Sequence, residues 1–140
     1  KYEYFGKCAA KMDDALNFLP SRISGLLIVA AAAFLPRERK TGFRGSGKNA
    51  LRIFLRDRKK HASPNSAQTE SACAGALGIQ LAGPAVYFRI LHEKPKIGDS
   101  LRAPEYDDIR RANRLMYAAS CSAVGILLAI AAALTMIFII

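Results

Sequence analysis

The chain has 140 residues, of which 51% are hydrophobic, and it carries a formal net charge of +10 at pH 7. This composition argues against an ordinary soluble domain, but it suits a chain whose apolar residues form a few blocks with the charges between them. Because residue 1 is Lys rather than Met, we expect an upstream part of the protein to precede it. We therefore predict one membrane domain over residues 1–140, as a fragment of a longer protein.

The first 22 residues predict an amphipathic helix. Met12, Leu16 and Leu19 fall on one side of this helix, and Lys7 and Lys11 fall on another.

A short apolar block follows at residues 23–36 and predicts a short membrane helix. Its apolar run is roughly 20 Å long, which is too short to cross a ~30 Å hydrocarbon core alone. Two interpretations remain open. In one, the span extends back to Phe18 and Arg22 reaches to the interface. In the other, the block is a re-entrant or interfacial helix that ends at Pro36.

Residues 37–114 form a region rich in Lys and Arg, which the positive-inside rule places in the cytoplasm. Within it we predict a helix over 49–60, a polar turn over 61–69, helical structure over 72–91 and a loop over 92–105. Nothing alternates with period two over a useful length, so no sheet is predicted.

Residues 115–140 contain no charged residue. As a helix this run extends roughly 39 Å, longer than the ~30 Å core of a bilayer, and it predicts a transmembrane helix. Backbone inside hydrocarbon must satisfy its own hydrogen bonds. We therefore predict an all-α, polytopic integral membrane protein of the plasma (inner) membrane, with transmembrane and re-entrant or interfacial helices and a basic cytoplasmic loop.

Two common kinds of site are disfavoured by the sequence. The run from Gly42 to Asn49 approaches a phosphate-binding P-loop, but Asn49 stands where Ser or Thr would hold Mg²⁺, and no strand is predicted before it. Cys8, Cys73 and Cys121 lie far apart, and no pair has metal-ligand spacing. The basic residues are not interleaved with aromatic ones in a recognisable motif, so no nucleic-acid partner is predicted.

The polar residues around His61 and Ser63 are open to two interpretations. They can serve nucleophilic catalysis, or they can form a turn in which Asn65 and Ser66 bond to local backbone. The residue types alone favour the turn. The carboxylates are similarly open, since they suit either a nucleotide-bound Mg²⁺ or a solvated helix face. They are Asp13, Asp14, Asp57, Glu70, Asp107 and Asp108.

Three ordered segments carry a more specific pattern. The central signature, within 56–83, runs from Arg56-Asp57 through His61, Ser63-Pro64-Asn65-Ser66 and Glu70 to a Gly/Ala-rich stretch that ends at Gly83. Segments 2–7 and 16–22 precede it, and Glu93-Lys94-Pro95 with Ile97-Gly98-Asp99 follows it. Together they resemble the adenosylcobinamide-phosphate synthase family of cobalamin biosynthesis.

The resemblance implies a membrane enzyme that joins the carboxylate of adenosylcobyric acid to the amine of aminopropanol or its phosphate, with ATP and Mg²⁺. The implied partners are the corrinoid and aminopropanol phosphate substrates, the lipid bilayer and other membrane enzymes of the pathway. Acyl-phosphate chemistry needs cations, a metal-binding carboxylate and a base. We therefore expect catalytic roles for His61, Ser63, Asn65, Ser66 and Glu70, substrate or phosphate binding by Arg56, Arg22, Asn17 and Lys94, and Mg²⁺ binding by Asp57, Glu70, Asp13 and Asp14.

A shared site would constrain the topology. If Asp13, Asp14, Asn17 and Arg22 lie with residues 61–70, both groups must reach the same membrane face. The apolar block after Arg22 would then be re-entrant or interfacial.

Three residues, at two places in the chain, depart from the family pattern. Gln68-Thr69 stands where many relatives have an aromatic residue and Pro, and Arg89 stands where Gly is expected.

Two alternatives to a ligase remain open. One is a non-catalytic membrane protein of the same superfamily that acts in signalling or as a scaffold, which would not need His61, Asn65 and Glu70. The other is a basic membrane-anchored module that binds anionic lipid or nucleic acid, whose affinity would fall steeply with salt.

Overall fold

The computed structural model describes residues 3–34 and 45–139. The fold is mostly helical, with four short strands between the fourth and fifth helices. The elements in chain order are α1 (Glu3–Leu16), α2 (Phe18–Phe34), α3 (Gly47–Asp57), α4 (Ser66–Leu77), β1 (Leu81–Ala82), β2 (Ala85–Tyr87), β3 (Ile90–His92), β4 (Lys96–Ile97) and α5 (Asp107–Ile139).

The central element is α4, which packs against α2, α3 and α5. Most of its residues are buried and small, so neighbouring helices approach closely. A Cβ added at Gly75 would lie 2.8 Å from the Cα of Ala50 in α3, which is closer than packed atoms tolerate. The core around α4 is completed by Ile28 of α2, Phe54 of α3 and Leu115 of α5. Burial of each such side chain contributes roughly 1.5–3 kcal/mol.

The single amphipathic helix predicted over the first 22 residues is instead two helices. The chain breaks at Asn17, and α1 and α2 are bent by 46°. A local side-chain bond lies at the break, because Asn17 donates to Asp13 at 2.8 Å. The predicted membrane helix over 23–36 therefore begins earlier, at Phe18, and Pro36 lies outside the described residues.

The prediction of no sheet is wrong. β1 pairs antiparallel with β4, and β2 pairs antiparallel with β3. The helix predicted over 72–91 ends at Leu77, with Gly78 as its C-cap residue, and the strands follow. Each strand has only two or three residues, which is too short to show a period of two in the sequence.

The β2–β3 hairpin has an unusual turn. Its two-residue loop, Phe88-Arg89, has φ values of 50° and 65°. Asn and Gly are the residues that such turns favour, because both loop positions are left-handed. The glycine expected at position 89 is therefore explained by the backbone, and Arg89 occupies a strained conformation.

The apolar run predicted as a helix over 115–140 forms one long helix, α5, together with the residues that precede it from Asp107. A network of charged side chains holds its first turns, where the buried Arg111 pairs with Asp108 at 2.8 Å and Asp108 also pairs with Arg102. Beyond Ala123, the described side chains are exposed. Among the described helices, α5 alone is long and apolar enough to cross a membrane by itself, over Asp107–Phe138, and the bent α1–α2 pair passes the same test only as one span.

The P-loop-like run lies partly outside the described residues. Within them, Ser46 caps α3 by accepting the N–H of Asn49 at 3.1 Å. The Asn49 side chain donates to the carbonyl of Gly75 at 2.6 Å and so joins α3 to α4. Asn49 therefore takes part in helix packing.

Candidate functional site

The loop between α3 and α4 lies against the corner between α1 and α2, and Asn65 makes the central contact. Its side-chain nitrogen donates to the carbonyl oxygen of Asp14 at 2.9 Å. Its side-chain oxygen accepts from Ser21 at 3.1 Å and from Arg22 at 3.3 Å. Asn65 precedes α4 but makes no side-chain cap bond, because its polar atoms are used across this contact. Two segments that were predicted separately therefore meet at one residue.

Ser63 and His61 extend the same cluster. The Ser63 hydroxyl donates to the Asp14 carboxylate at 3.2 Å and accepts the N–H of Asn65 at 3.3 Å. The backbone N–H of Ser63 donates to Nδ1 of His61 at 3.0 Å. A neutral imidazole whose Nδ1 accepts carries its proton on Nε2. His61 thus presents an N–H donor, and a base role would need the nitrogen that this bond occupies.

A cleft of about 750 Å³ adjoins this cluster. It brings together His61, Glu70 and Lys94, which the sequence predicted from distant segments. Lys60 and His92 also line it and were not predicted. His92 lies on β3, a strand that the sequence did not indicate. The cleft therefore combines two lysines and two histidines with the carboxylates of Glu70 and Glu93.

Arg56 and Asp57, predicted to bind phosphate and metal, form a paired network instead of an open site. Asp57 is fully buried, and its carboxylate accepts from Arg56 at 2.7 Å, from Lys60 at 2.8 Å and from the N–H of Gly98 at 2.8 Å. Arg56 also pairs with Asp99 at 2.7 Å. The hydrogen bonds from Arg56 are the main reason why the pKa of Asp57 lies well below its usual range, although burial opposes them.

This network fixes the segment that carries one wall of the cleft. Gly98 has a φ of 85°, and a Cβ there would clash with the carbonyl of Ile79. The bond from its N–H to Asp57 joins the end of α3 to the residue after β4. Lys94 precedes β4 in the same segment, so Asp57 helps to set the position of Lys94.

The predicted metal-binding carboxylates lie in different places. Asp13 accepts from Asn17, Asp14 contacts Ser63 and Asn65, and Glu70 lines the cleft. Within residues 3–34 and 45–139, no group of three His, Cys, Asp or Glu side chains is arranged to hold a metal ion. A nucleotide-bound Mg²⁺ needs only one or two protein carboxylates, because phosphate oxygens and waters complete its shell. A single carboxylate such as Glu70 is compatible with that arrangement.

Other candidate residues lie outside the cluster or have no direct contact there. Ser66 is half-buried as the first residue of α4. Asp108 belongs to the charge network at the start of α5. The three cysteines are free, and burial raises the pKa of the Cys73 thiol to about 11, with a smaller effect from the Asp108 charge. A thiol with so high a pKa is a poor nucleophile at neutral pH.

The chain matches known proteins over most of its length. The family model described as CobD/Cbib protein matches residues 1–116. Cobalamin biosynthesis protein CobD of Desulfotalea psychrophila is 48% identical over 116 residues, which are 83% of this chain and 33% of that protein. Cobalamin biosynthesis protein CbiB of Salmonella typhimurium is 48% identical over 129 residues, which are 92% of this chain and 38% of that protein.

The chain thus spans little more than a third of the length of these curated relatives. No solved structure matches it. The family match includes the α1–α2 corner, the loop around Asn65 and the walls of the cleft, and it ends within α5. The chain belongs to the CobD/CbiB family.

Proposed function

We propose that the chain is part of a membrane enzyme of cobalamin biosynthesis, an acid–amine ligase that joins adenosylcobyric acid to aminopropanol or its phosphate. The names of its relatives support the pathway. The single observation that carries the enzymatic proposal is the contact of Asn65 with Asp14, Ser21 and Arg22. A scaffold would have no need for a polar cluster assembled from two distant segments beside a cleft lined by charged side chains of both signs.

The chemistry that suits the cleft is activation of a carboxylate by phosphate. A carboxylate oxygen attacks the γ-phosphorus of ATP, ADP leaves, and an acyl phosphate forms. The neutral amine then attacks the acyl carbon, and inorganic phosphate leaves and takes up the amine proton. Cations are needed at both stages, because negative charge accumulates on the phosphate oxygens.

The described residues can be assigned to these steps. Lys94 and Arg22 supply positive charge to phosphate oxygens. Glu70 contributes one carboxylate to a nucleotide-bound Mg²⁺. His61 donates its Nε2–H to a substrate oxygen. Asp57 holds the Lys94 segment in place, as its bond to Gly98 supports.

The same proposal includes a membrane location. The apolar part of α5 crosses the plasma (inner) membrane, and the bent α1–α2 pair is re-entrant or interfacial in a multi-pass protein. Two observations support the membrane location of α5. No charged residue follows residue 114, and no residue in the most apolar window of α5 is buried. The basic residues before α5 favour a cytoplasmic position for residues 37–114. Other membrane enzymes of the pathway are its proposed partners.

Complementation tests the function. The part of a related synthase that this chain does not match is joined to it, and the fusion is expressed in a cell that lacks the enzyme and must make cobalamin from cobyric acid. We expect growth, and we expect Asn65→Ala or Glu70→Ala to abolish it. Stable insertion in the membrane without growth would favour the non-catalytic alternative, a signalling or scaffold protein.

A further inference from the structure

The β2–β3 hairpin forms one wall of the cleft. Ala85 and His92, which pair across the hairpin, both line the cleft. Side chains alternate between the two faces of a strand. Ile90, two residues before His92, therefore lies on the same face of the hairpin as His92. That face continues the cleft wall outward, towards the turn.

The outer part of the hairpin is apolar and uncovered within the described structure. Phe88 at the tip is 98% exposed, and Ile90 is 62% exposed. On the opposite face, Val86 and Leu91 form a cross-strand pair that is also exposed. Scattered apolar residues are ordinary on a surface, but here four exposed ones occupy a single short hairpin beside the cleft.

The backbone at the tip is strained as well as exposed. Phe88 and Arg89 both have positive φ values. For residues with a side chain this conformation costs roughly 1–2 kcal/mol each. Within residues 3–34 and 45–139, nothing packs on Phe88 to hold it there. Strained backbone of this kind is concentrated at functional sites, where a ligand uses the geometry.

The size of the cleft indicates what the hairpin contacts. At about 750 Å³ the cleft has the volume of a pocket for a drug-sized molecule. A corrin macrocycle with an adenosyl ligand is larger, so only its reacting arm and the phosphate fit inside. We propose, resting on the proposed function, that the ring of the corrinoid lies outside the cleft rim. There the methyl groups on its edge contact Ile90 and Phe88 while its carboxylate reaches His61.

The hairpin offers a matched pair of variants to test this. Ile90→Asp places a charge on the face of the hairpin that continues the cleft wall. Leu91→Asp places the same charge at the next residue, on the opposite face of the hairpin. Both side chains are more than half exposed, so neither change disturbs the core. Cobyric acid, which absorbs visible light, is dialysed in detergent against the purified chain joined to the remainder of a related synthase, as in the complementing fusion. We expect Ile90→Asp to weaken its retention by roughly tenfold or more and Leu91→Asp to change it little.

Fluorescence provides a second measurement, because the chain contains no tryptophan. Phe88→Trp introduces one at the hairpin tip, and Phe34→Trp introduces one at an exposed position at the end of α2. Cobyric acid absorbs near tryptophan emission and quenches a nearby indole. We expect strong quenching at position 88 and little at position 34.

The outcomes separate this inference from the proposed function. Retention of cobyric acid with equal quenching at both positions, or with equal effects of Ile90→Asp and Leu91→Asp, would overturn the hairpin contact and leave the function standing. A chain that retains no cobyric acid also overturns it, and complementation then judges the function independently.

Discussion

The side-chain nitrogen of Asn65 donates to the carbonyl oxygen of Asp14 at 2.9 Å and joins segments that lie 51 residues apart in the sequence. The same side chain accepts from Ser21 and Arg22. Substitution by Ala removes every one of these bonds and leaves the carbonyl oxygen of Asp14 without this donor, while Arg22 keeps its bond to the carbonyl of Phe18. We expect Asn65→Ala to lower the free energy of unfolding by about 1–3 kcal/mol, measured by thermal melting in detergent. Asn113→Ala, at an exposed position on α5, is the control, and equal losses would contradict the prediction.

The buried carboxylate of Asp57 should dominate the stability of the cleft wall. Asp57→Asn keeps the shape but removes the charge that Arg56 and Lys60 contact. We expect the free energy of unfolding to fall by about 2–3 kcal/mol. This is at the lower end for loss of a buried charge, because Arg56 is 42% exposed and can be rehydrated. Asp13→Asn, on the exposed side of α1, is the matched control. The prediction fails if both variants melt alike.

Asp57 also predicts a dependence of stability on pH. Its pKa is lower in the folded chain than in the unfolded chain, chiefly because Arg56 donates to it. The stabilisation is therefore fully present above the unfolded pKa of about 3.9 and is lost as the pH falls below it. Melting curves between about pH 5 and pH 2 should show a steeper fall for the unaltered chain than for Asp57→Asn. Parallel curves would contradict the assignment.

The turn at Arg89 predicts a stabilising substitution. Arg89→Gly relieves a left-handed conformation that costs a residue with a Cβ about 1 kcal/mol, so we expect a gain of that size. Arg110→Gly, on the exposed face of α5, should lower the free energy of unfolding by about 1 kcal/mol, because Gly disfavours a helix. A loss at position 89 would mean that Arg89 makes stabilising contacts that outweigh the strain.

The bond from Ser63 to Nδ1 of His61 predicts the role of this imidazole in turnover. If His61 donates through Nε2, an amide side chain replaces part of its function. We expect His61→Asn, in the complementing fusion, to keep activity within about tenfold, and His61→Phe to lose at least about a hundredfold. Equal, near-complete loss in both variants would favour the base role.

The shared site predicts that both flanks of α2 reach the same side of the membrane. Single cysteines at Lys7 and Lys48, in a chain whose native cysteines are replaced, should be labelled from the same side in intact cells. Labelling from opposite sides would rule out a re-entrant α1–α2 pair.

Sequence patterns predicted the final helix but missed the strands and the partners of two charged side chains. The final helix was predictable, because an uncharged run of that length has few other solutions. The strands were missed, since segments of two or three residues carry no periodicity. Arg56 and Asp57 were expected to bind ligands. In the structure Asp57 accepts the N–H of Gly98, 41 residues away in the sequence, and residue spacing cannot reveal such a partner.

The meeting of Asn65 with the α1–α2 corner was only a conditional expectation. It required that residues 61–70 and residues 13–22 reach the same face of the membrane. The sequence motifs named the participants, while their contact depends on the bend at Asn17, which no pattern indicated.

Asn65 also has a consequence for how α4 forms. A residue at this position ordinarily satisfies the first amides of its own helix, but the Asn65 side chain is committed to α1 and α2. The first turn of α4 therefore depends on a distant segment for its order. The corner and the central helix gain or lose structure together, as one cooperative unit, rather than as independent helices.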